Sequence, residues 1–194
     1  MEPMGVEAQP RPAATVPAST APSGVEMSAA AAPGMSEPAT QAACELLLAR
    51  LPGVTRSQCL ATQLQPSGAA SGQGVPLYWR DVVPRTGVPA PATDVPPLRV
   101  LVVGAMHGDE LSSASVALHW IQHAVQTPAN AHWRFIPALN PDGLLSRPAR
   151  RVNANGVDLN RNFPTPNWHR DAKIYWEERT RKDPRRWPGP KPLS

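Results

Sequence analysis

The sequence predicts an α/β fold, and three observations carry that prediction. Residues 99–104, Arg-Val-Leu-Val-Val-Gly, form a short unbroken apolar run rich in β-branched side chains, the composition of a strand covered on both faces. Residues 111–126 follow, with Leu111, Ala114, Leu118 and Ile121 on one helical stripe. Residues 133–138 then read as another strand. Strand, helix, strand at this spacing is a βαβ unit. Ligands bind outside the carboxyl ends of strands in such sheets, so a functional loop is expected directly after residue 104.

The remaining elements follow in chain order. Residues 1–40 are Ala, Pro, Ser, Thr, Gly and Met with scarcely an aromatic or β-branched side chain, so they read as a disordered arm that cannot bury enough apolar surface to offset its ordering entropy. The arm lacks the basic start and unbroken apolar core of a secretory signal, which places the expectation in the cytoplasm. A helix-like run covers 43–51. Cys44 and Cys59 flank residues 45–58 and fit either a disulfide loop or two buried thiols; pairing would make a periplasmic location the alternative. Residues 75–83 have strand composition, and a Pro-rich connection fills 84–97. After the loop 140–143, residues 146–166 are rich in Arg, Asn, Gly and Pro and show no clean period. Loops this long inside a domain are uncommon and often functional. Residues 173–181 suggest one more helix, with Glu177 and Glu178 spaced to pair with Lys173, Arg181 and Lys182. Pro184, Pro188, Pro190 and Pro192 then oppose regular structure. The organisation expected is an arm over 1–40, a partial catalytic domain over 41–168 and a basic Pro-rich end over 169–194.

Composition excludes several classes. The chain has 194 residues, and its longest apolar run, 100–106, is strand-sized. A membrane-spanning helix needs about 20 apolar residues, so none is expected. The formal net charge is +4, and residues 170–194 hold eight Lys or Arg against four Asp or Glu, which accounts for all of it. A nucleic-acid binder spreads its basic residues over a docking face, so nucleic acid is not an expected partner. Oligomeric state has no signal here.

Two constellations carry chemistry. His107-x-x-Glu110 follows the apolar strand directly; imidazole and carboxylate are both good Zn²⁺ ligands, and this spacing on a tight turn lets both point to one side. Gly104 and Gly108 permit a close backbone turn there. An exposed helix start, with Asp109 and Glu110 near the amino end of the dipole, is the plainer reading. The second constellation is Arg150-Arg151-Val152-Asn153-Ala154-Asn155-Gly156-Val157-Asp158-Leu159-Asn160-Arg161-Asn162-Phe163-Pro164. A guanidinium beside an amide suits a carboxylate-binding pocket, and a solvated basic loop is the alternative.

Taken in order, His-Gly-Asp-Glu, Asn-Pro-Asp-Gly and Gly-Val-Asp-Leu-Asn-Arg-Asn-Phe-Pro resemble the zinc carboxypeptidase family, and within it the bacterial murein peptide amidases. The resemblance covers roughly residues 100–166 and implies a mixed sheet flanked by helices, one Zn²⁺ and a metal-assisted hydrolysis. By this likeness His107 and Glu110 are the first two zinc ligands, Asn160 and Arg161 hold the free carboxylate of a peptide substrate, and Arg151 meets the oxyanion. Arg150 is the substitute for that last role. Residues 140–143 shape the site and have no chemical role. In the murein branch the bond cut is γ-D-glutamyl–diaminopimelate.

Catalytic zinc needs three protein ligands and an open position, with a separate Glu as general base. In the family the third ligand is a later His and the base a still later Glu, each on a further strand. Beyond residue 163 this sequence offers only His169, close to the motif and without a strand before it. His119 and His123 share a helix face away from the strand end. The expectation is a C-terminally truncated enzyme that lacks its third ligand and base and is inactive alone. Two other readings accompany it: a deacylase resembling the succinylglutamate desuccinylase and aspartoacylase group, and a non-catalytic module that binds peptide carboxylates.

Overall fold

The chain is seen in a computed structural model that describes residues 37–51, 53–83, 98–127 and 131–194. The expected arm lies outside the described residues except for its last four, which begin helix α1 (Glu37–Leu48). Thr40, Ala43, Cys44 and Leu47 form the buried stripe of α1. Helix α2 (Arg56–Ala61) starts at Thr55, whose side chain accepts from the Gln58 N–H while the Gln58 side chain returns to the Thr55 N–H. That reciprocal cap satisfies two amide donors that a short helix would otherwise leave open. Cys44 and Cys59 are bonded, so α1 and α2 are stapled together at a fully buried point.

Four strands make one sheet: β1 (Gln65–Ala70), β2 (Pro76–Val82), β3 (Leu98–Val103) and β4 (Ala131–Ile136). Their order is β1-β2-β4-β3, with β3 parallel to β4 and the other pairs antiparallel. Helix α3 (Leu111–Gln126) joins β3 to β4, which is the expected βαβ unit. Its Ala114, Leu118 and Ile121 pack with Phe135 of β4 and with Leu47, Leu51 and Leu64 in one core.

The position of β3 differs from expectation. The apolar run was read as a strand covered on both faces, yet among the described residues β3 is the outermost strand, and Leu98 and Leu101 are 67% and 62% exposed. Its composition suits a neighbour on each side, but among the described residues β4 is the one strand paired with it. Strand β1 was not foreseen, because Gln-Pro-Ser-Gly-Ala-Ala has neither alternation nor β-branched side chains; its ladder to β2 is interrupted by a register shift between Pro66 and Ala70. The Pro-rich connection 84–97 lies outside the described residues.

Beyond the sheet, α4 (Pro141–Leu145) is a short helix capped by Asn140, whose side chain accepts from Gly143 N–H. Residues Leu159–Arg161 form one 3-10 turn in the loop region. The last helix begins earlier than predicted, as α5 (Trp168–Ile174), and widens into a π-helical turn, Tyr175–Arg179. Of the expected charge pairs, Glu177 lies 3.9 Å from Lys182. Prolines keep 187–194 free of helix and strand, yet this end is anchored. Asn162 Nδ2 donates to the carbonyls of Pro188 and Lys191, and its Oδ1 accepts from the Ser194 N–H.

Candidate functional site

The chain turns sharply where β3 ends. Ala105 sits at φ +40°, a conformation unfavourable for a residue with a Cβ, and is held there by bonds on both sides. Its N–H donates to Ser113 Oγ at 2.8 Å, and its carbonyl accepts from Asn140 N–H at 3.0 Å. Gly108 permits close packing: a Cβ there would stand 2.2 Å from the Gly143 carbonyl carbon and 2.3 Å from Leu144 N. The α4 backbone therefore presses directly against the turn.

This packing buries His107 between two carboxylates. Its Nδ1 is 2.9 Å from Glu110 Oε1, and its Nε2 is 3.0 Å from Asp158 Oδ1. Asp158 has no side-chain exposure, while Glu110 is half exposed. An ionised carboxylate is an acceptor only. A neutral imidazole has one N–H, so His107 donates to one of these two carboxylates and the other contact needs a second proton or a cation between the groups.

Asp158 also joins the ring to the second constellation. Its Oδ2 accepts from Arg151 Nε at 3.1 Å and Nη2 at 3.0 Å, and its Oδ1 accepts from Asn160 N–H at 3.0 Å. Arg151 Nη1 reaches within 3.8 Å of Glu110 Oε1, so the guanidinium stands beside the His107–Glu110 pair. Asn140 Nδ2 donates to the Arg151 carbonyl, which fixes that backbone from α4. Arg150 is exposed, and its carbonyl lies against Gly108 and Gly143. The geometry therefore brings Arg151 to the His107 cluster, and Asn140 and Gly143 pack against the same turn.

Asn160 and Arg161 line a neighbouring pocket of about 230 Å³ with Phe163, Trp168, Asp171 and Tyr175. Arg161 Nη2 donates to Tyr175 Oη at 3.3 Å, Nη1 donates to the Asn160 carbonyl, and the guanidinium lies 4.9 Å from the Tyr175 ring centre. Arg161 Nε is buried without a hydrogen-bond partner. Hydrogen bonds from Arg186 and Arg161 hold the Tyr175 phenol below the ordinary tyrosine range. His169 sits edge-on to Trp168, and His119 and His123 are exposed on α3. Among the described residues no group of three or more His, Cys, Asp or Glu stands ready to hold a metal ion.

Sequence reasoning assigned nothing to Asp158, Asn162 or Tyr175. The motif containing Asp158 was in view, and a lone acidic residue inside an Asn- and Arg-rich loop is the signal that its carboxylate had been available to pair with a cation.

Comparison with known proteins gives a consistent picture. A family model described as zinc carboxypeptidase matches residues 87–193. Murein peptide amidase A of Escherichia coli (strain K12) is 38% identical over 105 residues, covering 53% of this chain and 36% of that protein. The carboxypeptidase N catalytic chain of Homo sapiens is 29% identical over 149 residues, covering 66% of this chain and 29% of that one. The chain thus spans about a third of the length of these curated relatives. Among solved structures, carboxypeptidase A from Helicoverpa armigera shares the fold with a TM-score of 0.52 at 19% identity, over 77% of this chain and 44% of that one.

Proposed function

The chain belongs to the zinc carboxypeptidase family, and on that premise we propose that it carries one part of a metallopeptidase site that hydrolyses a peptide bond next to a free carboxylate. The substrate we assign is a murein peptide cut at the γ-D-glutamyl–diaminopimelate bond, a reading supported by the likeness to murein peptide amidase A. The relatives named above are a peptide amidase and carboxypeptidases, which favours a peptide over an acyl-amino acid.

The observation that carries the proposal is the buried carboxylate of Asp158, bonded at once to His107, Arg151 and the Asn160 backbone. The donor set fits zinc: an imidazole nitrogen and a carboxylate oxygen 2.9 Å apart, with the opposite ring nitrogen held by a second carboxylate. Zinc, when bound, supplies a Lewis acid that polarises a carbonyl and acidifies water. His107 and Glu110 are its ligands in this reading. Asp158 fixes the ring so that Nδ1 is presented on the Glu110 side. Arg151, held by the same carboxylate, turns Nη1 toward Glu110 and there meets the negative charge that develops on the scissile carbonyl oxygen. Asn160 and Arg161 take the terminal carboxylate, one residue along the chain from the Asp158 bond.

A third ligand and a general base are further requirements of this chemistry. The proposal therefore includes weak zinc binding and no steady hydrolysis by the 194-residue chain alone. It also assigns the protein to an oxidising compartment, supported by the Cys44–Cys59 bond. Among the described residues no helix is long and apolar enough to cross a membrane.

Zinc titration against a competing chelator tests the ligand assignment. Affinity is expected to fall on His107→Ala and on Glu110→Ala, and affinity indifferent to both changes would remove these ligands. Stoichiometric, tightly held zinc with steady cleavage of an L-alanyl-γ-D-glutamyl-diaminopimelate tripeptide would overturn the incompleteness. Peptide binding is expected to be lost on Arg161→Ala.

A further inference from the structure

Arg161 differs from the other site arginine in how it is held. Arg151 is bonded to a buried carboxylate, whereas the side chain facing the Arg161 guanidinium is a neutral phenol. The two contacts that Arg161 makes with Tyr175 are of different kinds. One is a hydrogen bond of 3.3 Å to the hydroxyl, and the other is placement of the cation 4.9 Å from the ring centre. A ring face and a hydroxyl together fix both the plane and the direction of a guanidinium. A phenol also leaves more of the positive charge for a ligand than a carboxylate partner would, and the acidic side chain in the pocket lining, Asp171, is itself bonded to Arg170. The Arg161 Nε is buried without a hydrogen-bond partner, so one donor of the guanidinium is also unused. Tyr175 opens the π-helical turn that follows α5, and such turns recur at functional sites.

We propose that Tyr175 is the positioning residue of the carboxylate pocket: its ring and hydroxyl set the Arg161 guanidinium toward the pocket lined by Asn160, Phe163 and Trp168, and leave its charge for the ligand. This rests on the assignment of Asn160 and Arg161 to a substrate carboxylate. The class of ligand selected is a peptide ending in an unblocked carboxylate. An anion bound at Arg161 opposes the two guanidinium groups that now favour ionisation of the Tyr175 phenol, so the phenol titrates at higher pH when the pocket is filled.

The experiment uses the 194-residue chain and two probes, the L-alanyl-γ-D-glutamyl-diaminopimelate tripeptide and the same peptide with its diaminopimelate carboxylates amidated. Calorimetry gives the acid-over-amide preference of the parent chain, of Tyr175→Phe and of Tyr175→Ala. Tyr175→Phe keeps the ring and is expected to narrow the preference about threefold, the usual worth of one hydrogen bond. Tyr175→Ala is expected to narrow it about tenfold or more. Absorbance titration in a Tyr78→Phe background follows the Tyr175 phenol alone, and its midpoint is expected to rise with the acid peptide only. A parent chain without any acid preference overturns the carboxylate pocket and this inference with it. A parent preference that survives Tyr175→Ala, or a phenol midpoint unmoved by the acid peptide, overturns the role of Tyr175 alone. Should Tyr175→Ala fail to fold, Tyr175→Phe and the titration decide.

Discussion

His107 Nε2 lies 3.0 Å from Asp158 Oδ1, a contact between the end of β3 and a loop fifty-one positions later in the chain. Replacing that carboxylate tests whether it orients the ring. Asp158→Asn keeps the shape but can present an amide donor to His107 and Arg151. Partners standing behind a metal ligand are typically worth about 10–100-fold in affinity. A loss of that size in zinc competition is the expected outcome. Asp158→Ala also leaves Arg151 without its buried partner, and a loss of about 3–5 kcal/mol in denaturant unfolding is expected.

Gly108 is a packing requirement rather than a flexible joint. Its hypothetical Cβ would meet the α4 backbone at 2.2 and 2.3 Å and the Arg150 carbonyl at 2.5 Å, and backbone cannot step aside as a side-chain tip can. Gly108→Ala should lower the melting temperature and disturb the amide resonances of 140–151 in NMR spectra. Spectra identical to the parent would contradict this account.

The Cys44–Cys59 bond closes a short loop, at a sequence separation of 15. Chain-entropy arguments assign a loop of that size about 3 kcal/mol. Reduction, or the Cys44→Ala/Cys59→Ala pair, should lower stability by roughly that amount. Equilibrium unfolding with and without reductant measures it.

Asp81 gives the molecule an acid-sensitive contact. Burial raises its pKa, but the bidentate bonds from Arg134 at 2.7 and 2.8 Å, with His132 nearby, outweigh this and hold it below the usual carboxylate value. A carboxylate depressed in the folded state stabilises fully above its unfolded pKa of about 3.9, and the gain is lost as pH falls through the folded value. The pair is partly exposed, so about 1 kcal/mol or less is at stake after solvent screening. Asp81→Asn is expected to cost that much at neutral pH and progressively less below about pH 4. A cost that stays constant down to pH 2 would show that the ion pair is not its source.

The legible part of this molecule is the part written locally. The apolar run of β3 and the stripe on α3 each sit within a few residues, so the βαβ unit could be read directly, together with the turn after β3 that carries His107 and Glu110. The edge position of β3 could not be read, because strand order is decided by pairing between distant segments. Strand β1 is formed by backbone bonds to β2 that its side chains do not announce. Asp158 was in plain view inside its motif, but its partners His107 and Arg151 come from a strand end and another part of the loop. Tyr175 reaches Arg161 across fourteen positions of sequence, a separation that no local pattern reports.

The anchored end has a consequence in time. Trp187 accepts from the Asp158 N–H, Asn162 is bonded to residues 188, 191 and 194, and Asn153 Nδ2 donates to the Ser194 carbonyl. The loop that carries Asp158 and Arg161 is therefore braced by residues synthesised after every strand described here. At a translation rate of about 5–20 residues per second, β4 is made several seconds before that bracing exists. The described strands can therefore pair around an unfinished loop, and the pocket takes shape after them.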